Sequence, residues 1–557
     1  MDNYQIADQF SLLSKLMDIH GENSFKSKSY ASAAFAIEKL PTQLSETTQE
    51  KIAAIKGIGA SSAQKIIELL ETGKLDILEK MLQSTPPGVI EMLNIKGIGA
   101  KKINTIWKEM ELESLGELLY ACQENRLKLY KGFGEKTQQN VIDSIEFYFK
   151  NKGSFLYAQV EEAVHIIEEE LKNIFTDTKI ILTGEFKRQL EVVNELAFIV
   201  EESINTIENK LSAISSLSIA ERNESTLLYN SSTGLKLRIY ATDKANSIST
   251  FLETSSSVNF FDKLKLEKYE MAVSDEESFF STNNLPLIKS YAREDADIIE
   301  MAKQRNLPTV IEPMDIKGII HCHSNWSDGS NTIEEMAKAA ISQGLEYLAI
   351  SDHSKSAFYA QGLFEEKIIE QHKYIDELNI KLAPFKIFKS IESDILNDGN
   401  LDYAPEVLKS FDLIIASVHS NLKMTEEKAM MRLLRAIENP YTTILGHMTG
   451  RLLLSRPGYP VDHDKIIDAC AANNVVIELN ANPSRLDMDW RFIKTAVKKN
   501  VLISINPDSH SADTLNYTRY GVLAAQKALL SKKQNLSSFS LADFEAFISS
   551  KKLQASN

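Results

Sequence analysis

From Ile316 onward, six short apolar runs alternate with helical stretches, and each run ends in a polar residue. This alternation is typical of a parallel βα barrel or a doubly wound sheet. In both folds the chemistry lies at the carboxyl ends of the strands. Five of the six runs end at or beside a histidine, and the histidines at the predicted strand ends are His321, His323, His353, His419, His447 and His510.

Three carboxylates accompany these histidines: Asp328, Glu392 and Asp508. Imidazole and carboxylate are common ligands of divalent Zn, Mn and Fe. His321 and His323 are two residues apart and therefore face the same side of a strand, as do Asp508 and His510. A single histidine at a strand end is more often structural, but six at corresponding positions are not explained in that way. The pattern predicts a cluster of divalent metals.

The segments that carry this pattern resemble the polymerase and histidinol phosphatase (PHP) family. The resemblance covers residues 315–530 and rests on HCHSNWSDG, ISDHS, SIESDIL, ASVHS, LGHMTGRLLL, ELNANPSRLD and INPDSHS. It implies a distorted (βα)7 barrel that binds three divalent metal ions, either Zn or Mn, with Fe as a further candidate.

The family pattern also implies how the ligands divide among the metals. One metal would be held by His321, His323, Glu392 and Asp508. A second would be held by Asp328, His353 and His510, and a third by Glu392, His419 and His447. Glu392 would bridge two metals, and the first set is expected to be catalytic. Arg451 and Arg485 are candidate phosphate clamps, although either could equally form a structural ion pair. Asp352 and Lys355 are weaker candidates.

A second motif occurs near the start of the chain. IKGIGA occupies residues 55–60 and 95–100, and the related KGFGEK occupies 131–136. A single G-x-G is often an ordinary turn, but three with similar flanks resemble helix-hairpin-helix motifs, whose amides bind DNA phosphates. The predicted DNA-binding glycines are Gly57, Gly59, Gly97, Gly99, Gly132 and Gly134. Added charge is expected from Lys56, Lys96, Lys101 and Lys102, and Lys65 matches the Schiff-base lysine of related lyase domains.

The whole layout resembles bacterial family X DNA polymerases, which predicts a multidomain chain of α and α+β parts followed by an α/β domain. The expected domains are a lyase-like helical domain at 1–90, a fingers-like helical domain at 91–152, a polymerase-beta-like palm with thumb and linker at 153–312, and a PHP barrel at 313–557. The palm segment 155–241 predicts α+β structure with mostly antiparallel strands.

The palm motif departs from the family pattern of G-S-x-R-R, D-x-D and a later Asp. Gly184 and Arg188 match, but Glu185 replaces the serine, Glu195 and Ala197 replace the D-x-D pair, and Lys236 stands at the later Asp. A lysine in place of a ligand repels Mg²⁺, so two Mg²⁺ ions are not expected there. Polymerase activity is predicted to be lost or weak.

Charge and cysteine content bear on the partners and the cellular compartment expected for the protein. The net charge is −15, whereas residues 1–150 carry 18 Lys+Arg and 20 Asp+Glu, a local balance of −2. This charge distribution allows local contacts between the first 150 residues and DNA. It argues against attraction of the whole protein surface to DNA. The three scattered cysteines form no disulfide framework, and the sequence shows no signal peptide or membrane span. A cytoplasmic monomer is expected.

Together these features predict a DNA-repair 3′–5′ exonuclease or phosphodiesterase acting on gapped, nicked or abasic DNA. Three alternatives stay open. The first is an active gap-filling polymerase with PHP proofreading. The second is a small-molecule phosphatase of the histidinol-phosphate type, against which the three hairpins count. The third is a DNA-binding scaffold, for which the nine intact ligands would be unnecessary.

Overall fold

The computed structural model describes residues 1–40, 42–55, 57–123, 127–151, 153–232, 234–267, 269–271, 273–454 and 457–556. The chain divides into two compact units, Met1–Lys152 and Gly153–Asn557.

The first unit is helical in its described part, as predicted. Its helices are α1 Asn3–His20, α2 Ser24–Glu38, α3 Gln49–Ala53, α4 Ala60–Thr72, α5 Asp76–Ser84, α6 Pro87–Glu91, α7 Ala100–Asn104, α8 Leu115–Gln123 and α9 Glu135–Asn151. A π-helical turn, Thr105–Glu109, continues α7. In α1, a capping box between Asp2 and Gln5 starts the helix, and Gly21 ends it in the left-handed conformation. Apolar side chains repeating every three or four residues, such as Ile6, Phe10 and Leu13, form the core.

The second unit begins with an α+β segment. Its elements are β1 Phe155–Leu156, α10 Tyr157–Ile174, β2 Ile180–Thr183, α11 Gly184–Lys187, β3 Val192–Val193, β4 Glu195–Val200, α12 Ile204–Leu211, β5 Leu217–Arg222, β6 Thr226–Ser231 and β7 Lys236–Ala241. Five strands form a sheet in the order β2-β4-β7-β6-β5. All neighbouring pairs are antiparallel except β4 with β7, which confirms the mostly antiparallel prediction.

Four helices follow this sheet: α13 Ser247–Thr254, α14 Val258–Leu266, α15 Glu276–Thr282 and α16 Asp297–Lys303. They pack around buried aromatic side chains, including Phe260 and Phe279. This small helical core stands between the five-stranded sheet and the C-terminal α/β part in sequence.

The last part alternates strands with helices. The elements are β8 Gly318–Cys322, α17 Ile333–Ser342, β9 Tyr347–Ile350, α18 Glu365–Lys381, β10 Lys386–Asp394, α19 Pro405–Leu408, β11 Leu413–Ser417, α20 Glu426–Ile437, β12 Ile444–Leu445, α21 His463–Asn473, β13 Val476–Asn480, α22 Ile493–Lys498, β14 Ile503–Asn506, α23 Thr518–Lys527 and α24 Leu541–Ser556.

The seven strands β8 to β14 are all parallel and lie in sequence order. The first and last strands meet beyond their ends, where the His323 amide donates to the Ser509 carbonyl at 2.8 Å. Of the two arrangements that the sequence left open, the structure is therefore a nearly closed barrel. Strands such as β8 and β13 are buried along their whole length, as expected where both faces are covered.

No helix in the described part of the chain combines the length and the apolar character needed to cross a membrane.

Candidate metal centre

The barrel brings its histidines together at the carboxyl ends of its strands. His321 lies in β8 and Glu392 in β10, while His323, His353, His419 and His447 follow the ends of β8, β9, β11 and β12 within a few residues. Asp508 and His510 follow β14 in the same way. Because parallel strands of a barrel end on one rim, side chains far apart in sequence converge there.

Three groups of side chains at this rim place one ligand atom each within 4.8 Å of one another. The groups are His323 with Asp328, His353 and His510; His321 with His323 and Asp508; and His353 with Glu392 and His419. His447, the ninth predicted ligand, places Nε2 at 3.0 Å from Glu392 Oε1. The structure thus gathers all nine predicted side chains, with His323 and His353 each lying between two groups.

Glu392 lies at the middle of the cluster. Its Oε1 is 3.3 Å from His321 Nε2 and 3.2 Å from His419 Nε2, and its Oε2 is 3.0 Å from His353 Nδ1. Burial alone would raise the pKa of Glu392, but the surrounding histidines outweigh it and hold the pKa well below its ordinary value. An ionised carboxylate at this point can bridge neighbouring cations.

Several buried atoms of the cluster have no partner with hydrogen-bond geometry among the described residues, although Glu392 Oε2 lies 3.0 Å from His353 Nδ1 and His321 Nε2 lies 3.3 Å from Glu392 Oε1. They are His321 Nε2, His323 Nδ1, His447 Nδ1 and Glu392 Oε2. Leaving a buried polar atom unpaired costs about 1–3 kcal/mol. Three of these atoms, His321 Nε2, His323 Nδ1 and Glu392 Oε2, lie within 4.0 Å of other ligand-type side chains and are accounted for if they bind cations. A donor set of imidazole and carboxylate suits Zn, Mn or Fe. The residues present therefore fit a cluster of divalent metals.

Two buried carboxylates that the sequence analysis missed hold the histidines in place. Glu478 Oε2 lies 2.7 Å from His321 Nδ1, and Asp394 Oδ1 contacts His419 Nδ1 at short range. Outer carboxylates of this kind fix the tautomer of a ligating histidine, so that the opposite nitrogen faces the metal. Both could have been found: Asp394 lies two residues after Glu392 on β10, and Glu478 lies on β13, which together with β10 makes the two barrel strands that no histidine closely follows.

Glu478 is itself fully bonded. Its oxygens accept from Asn506 Nδ2 at 3.0 Å, from Asn480 Nδ2 at 3.1 Å and from the His447 amide at 3.2 Å. A buried carboxylate with this many donors is held in one position. Glu478 therefore acts as a fixed support for His321.

Asp352 supports the loop that carries Asp328. It accepts from the Ser324 amide at 2.8 Å, from the Ser327 hydroxyl at 2.6 Å and from Gln371 Nε2 at 2.6 Å. Lys355 instead pairs with Glu365 at 2.6 Å. Of these two weaker candidates, Asp352 orders the loop between His323 and Asp328.

The two candidate arginines have different surroundings. Arg451 donates from Nε to the Arg485 carbonyl at 3.0 Å and from Nη1 to Asp489 Oδ2 at 2.8 Å, and its Nη2 contacts the Leu486 carbonyl at short range. These contacts are those of a structural ion pair. Arg485 places Nε 3.9 Å from Asp508 Oδ2 and therefore lies beside a predicted ligand.

The palm sheet places its substituted residues together. Gly184 has φ of +72°, and a Cβ at this glycine would lie 2.7 Å from the Ala197 Cβ. Glu185 bonds the Asn194 amide at 2.6 Å. Arg188 pairs with Glu294 through two bonds of 2.8 Å, so its guanidinium is engaged within the protein.

The cation that faces Glu195 is Arg238 rather than Lys236. The register places Lys236 opposite Glu195 and Arg238 opposite Ala197, yet Lys236 is exposed while Arg238 donates from Nη2 to Glu195 Oε2 at 2.8 Å and from Nε to Oε1 at 2.5 Å. The match of Lys236 to the later Asp of the family pattern did not include Arg238, because side-chain reach across a strand pair cannot be read from sequence position. Both oxygens of Glu195 are taken by this ion pair.

The three hairpins share one backbone geometry. Gly57, Gly97 and Gly132 have φ values of +95°, +93° and +90°, a region that favours glycine. Helices α4, α7 and α9 begin directly after the second glycine of each motif, at Gly59, Gly99 and Gly134. Lys101 is exposed on the first turn of α7, and Lys56 lies outside the described residues. Lys65 contacts Glu68 in a close ion pair.

Comparison with known proteins agrees with this division of the chain. Three family models match: a helix-hairpin-helix domain over residues 1–75, a SAM-like helix-hairpin-helix tandem over 89–146 and a PHP domain over 320–482. Probable phosphatases of Acetivibrio thermocellus and Clostridium acetobutylicum are 28% and 29% identical over 202 and 209 residues. Those matches cover 34% and 35% of this chain and 78% and 80% of the relatives.

A longer match covers nearly the whole protein. The chain is 32% identical over 567 residues to the DNA polymerase/3'-5' exonuclease PolX of Bacillus subtilis, with 96% of each chain covered. The helix-hairpin-helix matches, the PHP match and this full-length similarity agree with one another. The chain therefore belongs to the bacterial PolX family, with helical DNA-binding domains first and a PHP domain at its C-terminal end.

Proposed function

We propose that the barrel is a metal-dependent phosphodiesterase that removes nucleotides from DNA in the 3′–5′ direction, and that the palm has lost most or all polymerase activity. The observation that carries the proposal is the convergence of nine ligand-type side chains, three of which place at the cluster a buried atom without a hydrogen bond among the described residues. The proposal includes three metal ions, of Zn, Mn or Fe, divided among the ligands as the family pattern implies.

The roles of the side chains follow from their positions. Divalent cations bound here would polarise the phosphoryl oxygens and stabilise the charge on the leaving oxygen. Glu392 would bridge, while Glu478 and Asp394 keep His321 and His419 oriented toward the cluster. Arg485, beside Asp508, is placed to bind a phosphate oxygen, whereas Arg451 orders the loop that contains Arg485.

The inference that DNA is the substrate depends on the helical N-terminal domains. Three hairpins with glycines in the left-handed conformation precede helix starts, where backbone amides can bind phosphates. The Bacillus subtilis relative is named as a 3'-5' exonuclease. We infer that gapped, nicked or abasic DNA is bound by domains 1–90 and 91–152 and cut by domain 313–557, in a monomer.

The side chains of the palm support the proposed loss of polymerase activity. Two-metal nucleotidyl transfer needs carboxylates that are free to bind Mg²⁺. Here Ala197 has no ligand atom, and both oxygens of Glu195 are bonded to Arg238. Arg188 is likewise paired with Glu294. A lyase role for Lys65 is not part of the proposal, because the Lys65 side chain is held in a close contact with Glu68 one turn further along α4.

The test is a cleavage assay. Labelled single-stranded, gapped and abasic DNA is incubated with Mn²⁺ and the wild type, Asp508→Ala or Asp513→Ala. Asp513 is an exposed carboxylate five residues beyond Asp508 and serves as the matched control. We expect the wild type and Asp513→Ala to shorten the strand from its 3′ end and Asp508→Ala to leave it intact. Equal cleavage by Asp508→Ala would contradict the proposal.

A second candidate function is hydrolysis of a small phosphomonoester. It is favoured by the similarity of the barrel to probable phosphatases over about a third of the chain. Turnover of histidinol phosphate by the wild type, together with no shortening of any DNA substrate, would establish this alternative in place of the nuclease.

A further inference from the structure

A loop beside the metal centre presents an exposed aromatic ring. Phe358 lies five residues after His353, and 81% of its surface is exposed. Single exposed apolar side chains are common on proteins, so exposure alone does not identify a site. The position of this ring is what distinguishes it. Five residues of chain span at most about 18 Å, so Phe358 lies within that distance of His353. A strand of a few nucleotides is long enough to cover it.

The base of the loop is fixed to the metal centre. The Leu363 amide donates to the His353 carbonyl at 2.8 Å, and the Ser354 amide donates to the Glu392 carbonyl at 3.1 Å. Both acceptors belong to predicted ligands. A Cβ on Gly362 would lie 1.8 Å from the Ser354 carbonyl oxygen, so the two sides of the loop pack directly against each other.

A second set of bonds holds the middle of the loop. The Ser356 hydroxyl donates to Asp394 Oδ2 at 2.8 Å, and Asp394 contacts the ligand His419 through its other oxygen. The Ser356 amide donates to Asp402 at 2.6 Å. The loop therefore stands in a defined position relative to His353 and His419 rather than swinging free.

The tip of the loop directs its phenyl ring outward. Residues Phe358–Ala360 form a single 3-10 turn. Ala357 and Ala360 on either side are 0% and 1% exposed, so the turn is anchored by its small residues while Phe358 faces solvent. Burying a phenylalanine side chain would stabilise the fold. Phe358 does not contribute that stabilisation, although it lies next to the metal centre.

We propose that Phe358 stacks on an unpaired nucleobase of the DNA strand whose phosphodiester lies at the metal centre. The inference rests on the proposed nuclease function and names its substrate more closely as an unpaired strand end. Every base offers a flat π face, and stacking on an aromatic side chain is largely independent of sequence. A base paired within a duplex has its faces covered, so the ring selects for frayed or single-stranded ends.

The test compares two single-stranded oligonucleotides that differ at their three terminal nucleotides. One carries bases, and the other carries tetrahydrofuran abasic residues on the same backbone. For Phe358→Ala we expect kcat/KM on the base-carrying strand to fall about tenfold, within the range known for base–aromatic stacking. The loss should lie in KM, and the abasic strand should be cut by wild type and variant at rates within about twofold, because no stacking is lost.

Two further variants control for structure. Phe358→Trp keeps an aromatic face and should retain wild-type values on both strands. Ile380→Ala removes a side chain that is 83% exposed at the far end of α18, toward the opposite rim, and should change neither rate. A Phe358→Ala variant that slows both strands equally, or slows neither, would overturn the proposal.

A binding measurement separates this inference from the nuclease itself. If the wild type cuts neither strand, the proposed function fails, and stacking is decided by titrating a trinucleotide of 2-aminopurine, whose fluorescence is quenched by stacking. Tenfold weaker binding and less quenching with Phe358→Ala would support the role of the ring. Equal binding by wild type and variant would refute it.

Discussion

Both the barrel and the palm place a glutamate on a strand where a metal ligand is expected, but the two glutamates have opposite surroundings. Glu392 is ringed by histidines, and one of its oxygens has no hydrogen-bond partner among the described residues. Glu195 gives both oxygens to Arg238. A carboxylate can bind a metal cation when its oxygens are fixed in position and are not already paired with a lysine or arginine. The comparison shows that the partners of a carboxylate, more than its presence, distinguish a metal site from an ion pair.

The same contrast applies to the arginines. Arg485 lies 3.9 Å from Asp508 at the edge of the cluster, whereas the Arg188 guanidinium is paired with Glu294. Lys527 donates from Nζ to the Arg188 backbone carbonyl at 2.8 Å and pairs with the same Glu294. Arg188 and Glu195 of the predicted palm motif are thus both engaged in ion pairs within the protein. In the proposed account the palm has become a structural part of the second unit.

The largest expected effect is at Glu392. Glu392→Gln removes the charge that would bridge two cations, so we expect metal content to fall and DNA cleavage to drop by more than the roughly 100-fold that loss of an outer partner costs. Elemental analysis of the purified protein and the cleavage rate measure the two effects. Glu365→Gln, which alters only the pair with Lys355, is the control. Full metal content in Glu392→Gln would break the comparison.

A smaller loss is expected at Glu478. Glu478→Gln keeps the shape but weakens the hold on His321 Nδ1, so we expect metal affinity or activity to fall about 10–100-fold. Competition with a chelator measures the affinity. Asp394→Asn should behave similarly through His419. If affinity is unchanged in both variants, the buried carboxylates support the fold and not the metals.

The stability of the fold is expected to depend on pH through Lys527, which contacts Arg188 and Glu294. Burial lowers the pKa of Lys527 to about 8. The unfolded chain, with an ordinary lysine pKa of about 10.4, then binds more protons than the folded protein between these values. The free energy of unfolding of the wild type, relative to Lys527→Met, should therefore rise with pH in that window by at most about 1.4 kcal/mol per pH unit. Below pH 8 the difference should be flat.

Urea denaturation of both proteins at pH 7, 8, 9 and 10 gives this difference. A difference that falls as the pH rises would show that Lys527 is stabilised in its charged form. In that case Lys527 would strengthen the contact with Glu294 and not merely tolerate burial beside it.

The smallest expected effect is at Glu195. Glu195→Gln weakens a partly exposed ion pair with Arg238, so we expect the free energy of unfolding to fall by about 1 kcal/mol or less. Its DNA cleavage should equal that of the wild type, since Glu195 lies in the palm sheet. A loss of cleavage in Glu195→Gln would show that the palm takes part in the reaction and would weaken the contrast between the two regions.

The sequence predicted the ligands of the barrel because their signal is local. Each histidine follows an apolar run, and parallel strands necessarily end on one rim. The roles of Glu478 and Asp394 in orienting His321 and His419 were not predicted, because they depend on which side chains reach these carboxylates across neighbouring strands. The pairing of Arg238 with Glu195 could not be read from the sequence for the same reason: Lys236 and Arg238 are two residues apart on β7, and only side-chain packing decides which cation reaches Glu195.

One assay tests most directly whether the barrel rather than the palm is the active centre. A labelled primer on gapped DNA is incubated with all four dNTPs and either Mg²⁺ or Mn²⁺, using wild type, His321→Ala and Glu195→Gln. We expect the wild type and Glu195→Gln to shorten the primer, His321→Ala to leave it unchanged, and no protein to extend it. Robust extension that persists in His321→Ala and is lost in Glu195→Gln would contradict the account.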